Sequence, residues 1–311
     1  MKQRQIDAYR QSEETLLKKF SLDRKEHFIP VNGHGTRVRV QETGSGDPLI
    51  LIHGGPNAGS TWLDLASRLP SVRCLILDRP GCGLSGGYSY GGITLEKMED
   101  LIVSVIDAVM DRFTLEKCNF LASSFGGYWA IRYALKRPEN INKMILEGAP
   151  ALVEGSSLPP FMKSVGNPLL RWLIPKLPGS VSSSEKTMKE IGHGYSIERG
   201  RIADFFMEWY VSLWNNTDTI KNDFDLISKV VRKGQQNPEF VLHDHEIEKL
   251  GSPSLWLWGK DDAFAGSEVA RRITGKMQHA TLIEFDNSGH LPWLDNPGDH
   301  AGLIREFLSD T

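Results

Sequence analysis

Cys118-Asn119-Phe120-Leu121-Ala122-Ser123-Ser124-Phe125-Gly126-Gly127-Tyr128 reads as a short apolar strand that passes through small residues around a serine and runs straight into a helix. A serine on so tight a strand-to-helix turn is forced into a strained backbone conformation with its hydroxyl presented outward. The turn closes only if the residues two before and two after are small. Ala122 and Gly126 meet that demand around Ser124, whereas a turn centred on Ser123 would crowd Leu121 and Phe125. Ser124 is therefore the candidate nucleophile. Ala122 stands where the G-x-S-x-G pattern has its first glycine, a departure of one methyl group. Such stretches are often plain strand–helix connections, so the reading depends on what surrounds them.

The surroundings are ordered. Pro48 to Gly54 is a continuous apolar run, as a strand buried on both faces requires, and it ends in His53-Gly54-Gly55-Pro56-Asn57. Cys74 to Asp78 ends in Arg79-Pro80-Gly81-Cys82-Gly83-Leu84-Ser85. Further on, Ser254 to Gly259 leads into Lys260-Asp261-Asp262, and Thr281 to Phe285 leads into Asp286-Asn287-Ser288-Gly289-His290. Serine, acid and histidine thus follow one another along the chain. On these motifs the chain resembles the α/β-hydrolases from about residue 26 to its end.

The resemblance implies a mostly parallel sheet flanked by helices on both faces, a helical cap, a serine hydrolase activity and no cofactor. It divides the chain into an N-terminal helical extension (1–25), an α/β-hydrolase core (26–150 and 250–311) and a cap insertion (151–249). A serine hydroxyl is a poor nucleophile until a neutral imidazole takes its proton and a carboxylate holds that imidazole in the right tautomer. His290 is the candidate base. Asp262, three residues after Gly259, is the candidate acid, with Asp261 as the alternative and Asp286 assigned to a turn. The oxyanion donors are the N–H groups of Phe125 and Gly55, since Pro56 has none to offer. His53 is assigned to bracing its loop.

The insertion concentrates Phe205, Phe206, Trp209, Tyr210 and Trp214 in one helical stretch. Phe206, Trp209 and Tyr210, with Trp293 after His290, are the candidates for the substrate pocket. The competing reading is that the shared face of 205, 206, 209 and 210 forms the cap's own core. The acidic residues of the cap are scattered among cations, so an apolar ester is expected as substrate ahead of an aminopeptidase substrate with its free ammonium. Prolyl aminopeptidases and carbon–carbon bond hydrolases remain the competing relatives. Against the first stand Asn57 and Pro80, and against the second Ser123, where an asparagine is usual. A ligand-binding receptor on the same fold is the reading from outside enzymology.

Composition agrees. The chain of 311 residues carries a net charge of −3 with no basic block, which points away from nucleic acid and anionic membranes as partners. No window approaches the apolar length of a membrane span, the N-terminus lacks a secretory core, and a cytoplasmic protein is expected. Cys74, Cys82 and Cys118 are expected to stay unpaired. Residues 4–20 suggest a surface helix packed loosely outside, and 26–31 with 36–43 suggest a hairpin whose Arg37, Arg39 and Gln41 face away from Val38 and Val40. Thr94 and Asn296 are placed as helix N-caps. Two false leads are set aside. Gly81-Cys82-Gly83-Leu84-Ser85-Gly86 cannot open a dinucleotide-binding helix, and His243-Asp244-His245 reads as a solvated loop with no metal.

Overall fold

Leu49, Ile50, Leu51 and Ile52 are all fully buried, because the strand that carries them lies at the centre of a sheet covered on both faces. The computed structural model describes residues 1–310. Strands β1 (Lys25–Val31), β2 (Thr36–Thr43), β3 (Asp47–Ile52), β4 (Val72–Asp78), β5 (Cys118–Ser123) and β6 (Ile141–Glu147) join one sheet. A two-residue pair, β7 (Val231–Arg232) and β8 (Gln235–Gln236), lies outside it, and β9 (Ser254–Gly259) and β10 (Ala280–Phe285) complete it. The order is β1-β2-β4-β3-β5-β6-β9-β10, with β1 and β2 antiparallel and every pair from β4 onward parallel.

Helices α1 (Gln3–Phe20), α2 (Leu63–Ser67), α3 (Leu95–Phe113) and α4 (Phe125–Lys136) precede the insertion. Ile50 and Ile52 point to the side of α3 and α4, while Leu49 and Leu51 point to the side of α1 and α2. Alternate residues of one strand thus enter two different cores. Truncating any of these leucines or isoleucines to alanine would cost about 2–5 kcal/mol. The Thr94 hydroxyl caps α3 by accepting from Lys97 N–H. Asn296 sits at the N-cap position of the last helix, but its side chain donates to Asp299 rather than accepting from the helix.

Between β6 and β9 lie α5 (Pro160–Val165), α6 (Pro168–Leu173), α7 (Val181–Met188), α8 (Gly194–Glu198), α9 (Asp204–Asn216), α10 (Thr219–Val230) and α11 (Asp244–Ile247). A π turn at Lys189–His193 joins α7 to α8. Then α12 (Ser267–Thr274) and α13 (Pro297–Ser309) close the chain.

The N-terminal helix is not loosely attached. Tyr9, Glu13, Leu16 and Leu17 of α1 are buried, and the Glu13 carboxylate lies 2.7 Å from Arg39 and accepts from Ser60 at 2.5 Å. Arg39 also reaches Asp78 at 3.2 Å. The polar face of β2 is therefore buried at Arg39 and Gln41, beneath α1. Burial works to raise the Glu13 carboxyl, yet Arg39 and Arg24 hold it below its ordinary value. The α1 surface reads as mixed charge because one of its acids serves this buried cluster. His243-Asp244-His245 is also more ordered than a solvated loop: it opens α11, and Asp244 is buried against Arg272 and Lys276.

Candidate active site

Ser124 has φ 51° and ψ −121°, a conformation that a non-glycine residue holds only when its surroundings enforce it. The enforcement is visible on both sides. A Cβ on Gly126 would stand 2.1 Å from the Ile52 carbonyl oxygen, and one on Gly54 would stand 2.7 Å from the Ser124 Cβ. The elbow therefore closes only because β3 and its following loop meet hydrogen atoms at these two places. Ser123, one residue earlier, is buried with an unpartnered hydroxyl among the described residues.

His290 is brought to the same place by the loop after β10. Its Nδ1 lies 2.9 Å and 3.0 Å from the two carboxylate oxygens of Asp262. Asp262 is itself fixed, one oxygen accepting from Ala149 N–H at 2.9 Å and the other from Phe264 N–H at 2.8 Å. This arrangement sets the tautomer: Nδ1 carries the proton and Nε2 keeps its lone pair. Nε2 is buried with no hydrogen-bond partner among the described residues, and the Phe264 ring lies against the imidazole at 4.1 Å. Asp261 is exposed, and among the described residues it is the buried Asp262 whose carboxylate meets His290. Asp286 is exposed and pairs with Lys260 at 2.8 Å.

The loop after β3 is held by buried polar contacts. His53 Nδ1 lies 2.6 Å from the Gly54 carbonyl, and its Nε2 accepts from Arg79 N–H at 3.1 Å. Burial and the neighbouring Arg79 push His53 well below the ordinary histidine pKa, so it stays neutral. Arg79 donates to the carbonyls of His53 and Gly54 and pairs with Asp223 of α10 at 3.0 Å. Asp78 accepts from Gly59 and Leu84 N–H, which tightens the following glycine-rich turn. Gly55 is left at the edge of the space in front of Ser124, where its N–H finds no acceptor among the described residues.

Two cavities open onto Ser124. One is lined by His290, Gly55, Asn57, Phe161, Met188 and Tyr210 among others; Phe264 borders both. The other is walled by Leu152, Leu158, Met162, Leu226, Ile227 and Val230, and Arg79 and Asp223 also line it. Of the four aromatic candidates only Tyr210 lines either of these two cavities, where its hydroxyl donates to the Pro56 carbonyl at 3.1 Å.

Phe206, Trp209 and Trp293 are placed elsewhere. Phe206 and Trp209 belong to the core that α9 shares with Tyr9 and Leu16 of α1, and Trp293 stacks on Trp62 at 4.1 Å. The docked N-terminal helix takes the aromatic face of α9, and α10 and the segment after β6 supply the pocket wall instead.

Another histidine–carboxylate pair, absent from the sequence reading, flanks His290. His193 of the π turn lies 2.9 Å from Asp295 through Nδ1, and its Nε2 accepts from Leu291 N–H at 3.1 Å. Asp295 accepts from Gly289 N–H and Ser288 Oγ, each at 2.9 Å, while His290 N–H donates to the Ile191 carbonyl at 3.0 Å. Burial works to raise Asp295, but the contacts with His193, Ser196 and Gly289 hold it below the usual carboxylate value. The residues on either side of His290 are thus tied to the π turn between α7 and α8.

The comparisons with known proteins agree with this architecture. Residues 47–297 match the family model described as the alpha/beta hydrolase fold. A 2-hydroxy-6-oxononadienedioate/2-hydroxy-6-oxononatrienedioate hydrolase of Paraburkholderia phymatum is 25% identical over 294 residues, covering 91% of this chain and 94% of that protein. Among solved structures, the carboxylesterase CesB of Bacillus subtilis aligns with a TM-score of 0.74 at 16% identity, over 98% of this chain and 99% of that one. The 2-hydroxy-6-oxo-6-phenylhexa-2,4-dienoate hydrolase of a Rhodococcus strain aligns at 0.72 and 16% identity, over 93% and 100%. With its parallel sheet, its strained serine turn and this match across most of its length, the chain belongs to the α/β-hydrolase fold family and is an enzyme of the hydrolase kind.

Proposed function

We propose that the protein is a serine hydrolase that cleaves small or medium apolar esters through an acyl-enzyme. Ser124 Oγ attacks the ester carbonyl as His290 Nε2 takes its proton, and Asp262 stabilises the imidazolium through Nδ1–H. The N–H groups of Phe125 and Gly55 receive the oxyanion, each such donor being worth about 3 kcal/mol in the transition state. Collapse of the tetrahedral adduct breaks the C–O bond, and the leaving alkoxide takes the proton from His290. Water, deprotonated by the same imidazole, then releases the acid.

The observation that carries the ester reading is the wall of the second cavity. It is mostly apolar, with Ser156, Ser157 and Gln236 as its neutral polar side chains beside Ser124, and Arg79 is the one cation among the described residues lining either space, already neutralised by Asp223. A substrate with two carboxylates would find no free cation there, and a substrate with a free ammonium would find no free carboxylate. A second reading, cleavage of a carbon–carbon bond in a vinylogous diketone, draws support from the named activities of the relatives.

Kinetics on p-nitrophenyl acyl esters, prolyl p-nitroanilide and a 2-hydroxy-6-oxo-dienoate decide among them. Esters should lead in kcat/KM by at least about a hundredfold, equivalent to about 2.7 kcal/mol. A preference for the dienoate or the prolyl amide overturns the ester reading. Ser124→Ala should abolish labelling by a fluorophosphonate while Ser123→Ala keeps it, and labelling that survives Ser124→Ala removes the nucleophile from this scheme.

A further inference from the structure

Of the seven large hydrophobic side chains exposed among the described residues, five fall within residues 169–181 of the cap: Leu169 (66% exposed), Trp172 (60%), Leu177 (52%), Val181 and Leu173. They lie on α6 and the turn and loop that follow it. Along the chain, the charges that lie between Glu154 and Glu185 are all positive. Arg171 and Lys176 stand in this stretch and Lys163 just before it, and no acidic residue occurs between Glu154 and Glu185. Lys176 Nζ sits 3.1 Å above the centre of the Trp172 ring, so cation and aromatic occupy one spot on the surface. The net charge of −3 for the whole chain conceals this local +3.

We propose that this face of the cap docks on the surface of an anionic lipid bilayer. Leucine and tryptophan side chains enter the boundary between headgroups and acyl chains, and cations at their edge meet lipid phosphates, which is the composition interfacial surfaces use. Tryptophan suits that depth because one end of its ring is apolar and the other can hydrogen-bond. A second copy of this chain fits less well, because a twofold contact lays the patch on itself and opposes like charges. The patch also follows directly on α5, whose Phe161 and Met162 line the two cavities in front of Ser124. A bilayer held there would present apolar esters at that wall, a consequence that rests on the ester reading, whereas the docking itself does not.

Flotation of the full-length protein with phosphatidylcholine vesicles, with and without phosphatidylglycerol, tests the docking directly. Binding to the mixed vesicles is expected, weakening as salt is raised, with little binding to phosphatidylcholine alone. Leu169→Ser combined with Trp172→Ser should abolish it, and each of Lys163→Gln, Arg171→Gln and Lys176→Gln should weaken it about fivefold. Hydrolysis of a soluble p-nitrophenyl ester should be unchanged in these variants, which shows that the cap has kept its fold. Ser124→Ala should bind vesicles as the unsubstituted protein does, so a failure of the catalytic scheme and a failure of docking give different results. No binding to mixed vesicles, or binding that survives the double serine variant, overturns the proposal. So does a dimer in sedimentation that Leu169→Ser with Trp172→Ser converts to monomer, since the patch would then belong to a second copy.

Discussion

Replacing Asp262 by asparagine tests the site at its most constrained point. Each carboxylate oxygen of Asp262 accepts one backbone N–H, from Ala149 or from Phe264, and both lie within 3.0 Å of His290 Nδ1. An asparagine of the same shape must place its NH2 group on one of those two sides. Either orientation sets an amide donor against a backbone donor, leaving a buried group unpaired at about 1–3 kcal/mol. When the NH2 also meets Nδ1, the imidazole must accept there and carry its proton on Nε2, where it can no longer take one from Ser124. Loss of the triad carboxylate in enzymes of this chemistry lowers kcat about 10⁴-fold, or about 5.5 kcal/mol in the barrier.

Asp262→Asn should therefore lower kcat by that order on a p-nitrophenyl ester. KM should stay nearly unchanged, because the side chain touches no cavity wall. Asp261→Asn should differ little from the unsubstituted protein, its side chain being exposed. Steady-state kinetics with a thermal melt to confirm folding makes the measurement. A kcat for Asp262→Asn within about tenfold of the unsubstituted value, or an equal loss for Asp261→Asn, refutes the assignment.

His193 and His53 offer two further tests. His193→Asn removes the acceptor for Leu291 N–H and the partner of Asp295, so the loop carrying His290 should relax. Charge-assisted hydrogen bonds of this kind are worth about 1.5–3 kcal/mol, which predicts a kcat lower by about 10- to 100-fold at nearly constant KM. His193→Gln should recover part of it, and a variant that loses only thermal stability leaves His193 without a positioning role. For His53, the folded state holds the neutral imidazole with its pKa well below the ordinary value, whereas the unfolded chain binds a proton near pH 6.5. Below that pH the unfolded state carries more protons, so stability falls as pH falls, by up to about 1.4 kcal/mol per pH unit for this one group. Urea midpoints at descending pH should fall less steeply in His53→Gln, and parallel slopes would show that His53 does not contribute.

Features set by neighbours in the chain were legible, and features set by neighbours in space were not. The strained turn at Ser124 was legible because it makes a local steric demand, which Gly126 answers against the Ile52 carbonyl. The central strands were legible because a strand buried on both faces must be apolar at every residue, as Leu49 to Ile52 are. The aromatic run of α9 signalled a buried face, yet nothing in its spacing states what buries that face. The partner is α1, more than a hundred residues earlier, and α1 conceals the fact by spending a glutamate on Arg39.

The same limit hid the ties between cap and core. Arg79 meets Asp223 across 144 positions and His193 meets Asp295 across 102, and in each pair the side chains are ordinary polar residues until the fold joins them. Both pairs reach the site through backbone, Arg79 through the carbonyls of His53 and Gly54, His193 and Asp295 through the N–H groups beside His290. The segment between β6 and β9 therefore does more than line the cavities. It holds the loop bearing Gly55 from one side and the loop bearing His290 from the other, so a change in cap position must disturb the proposed oxyanion donor and the proposed base together.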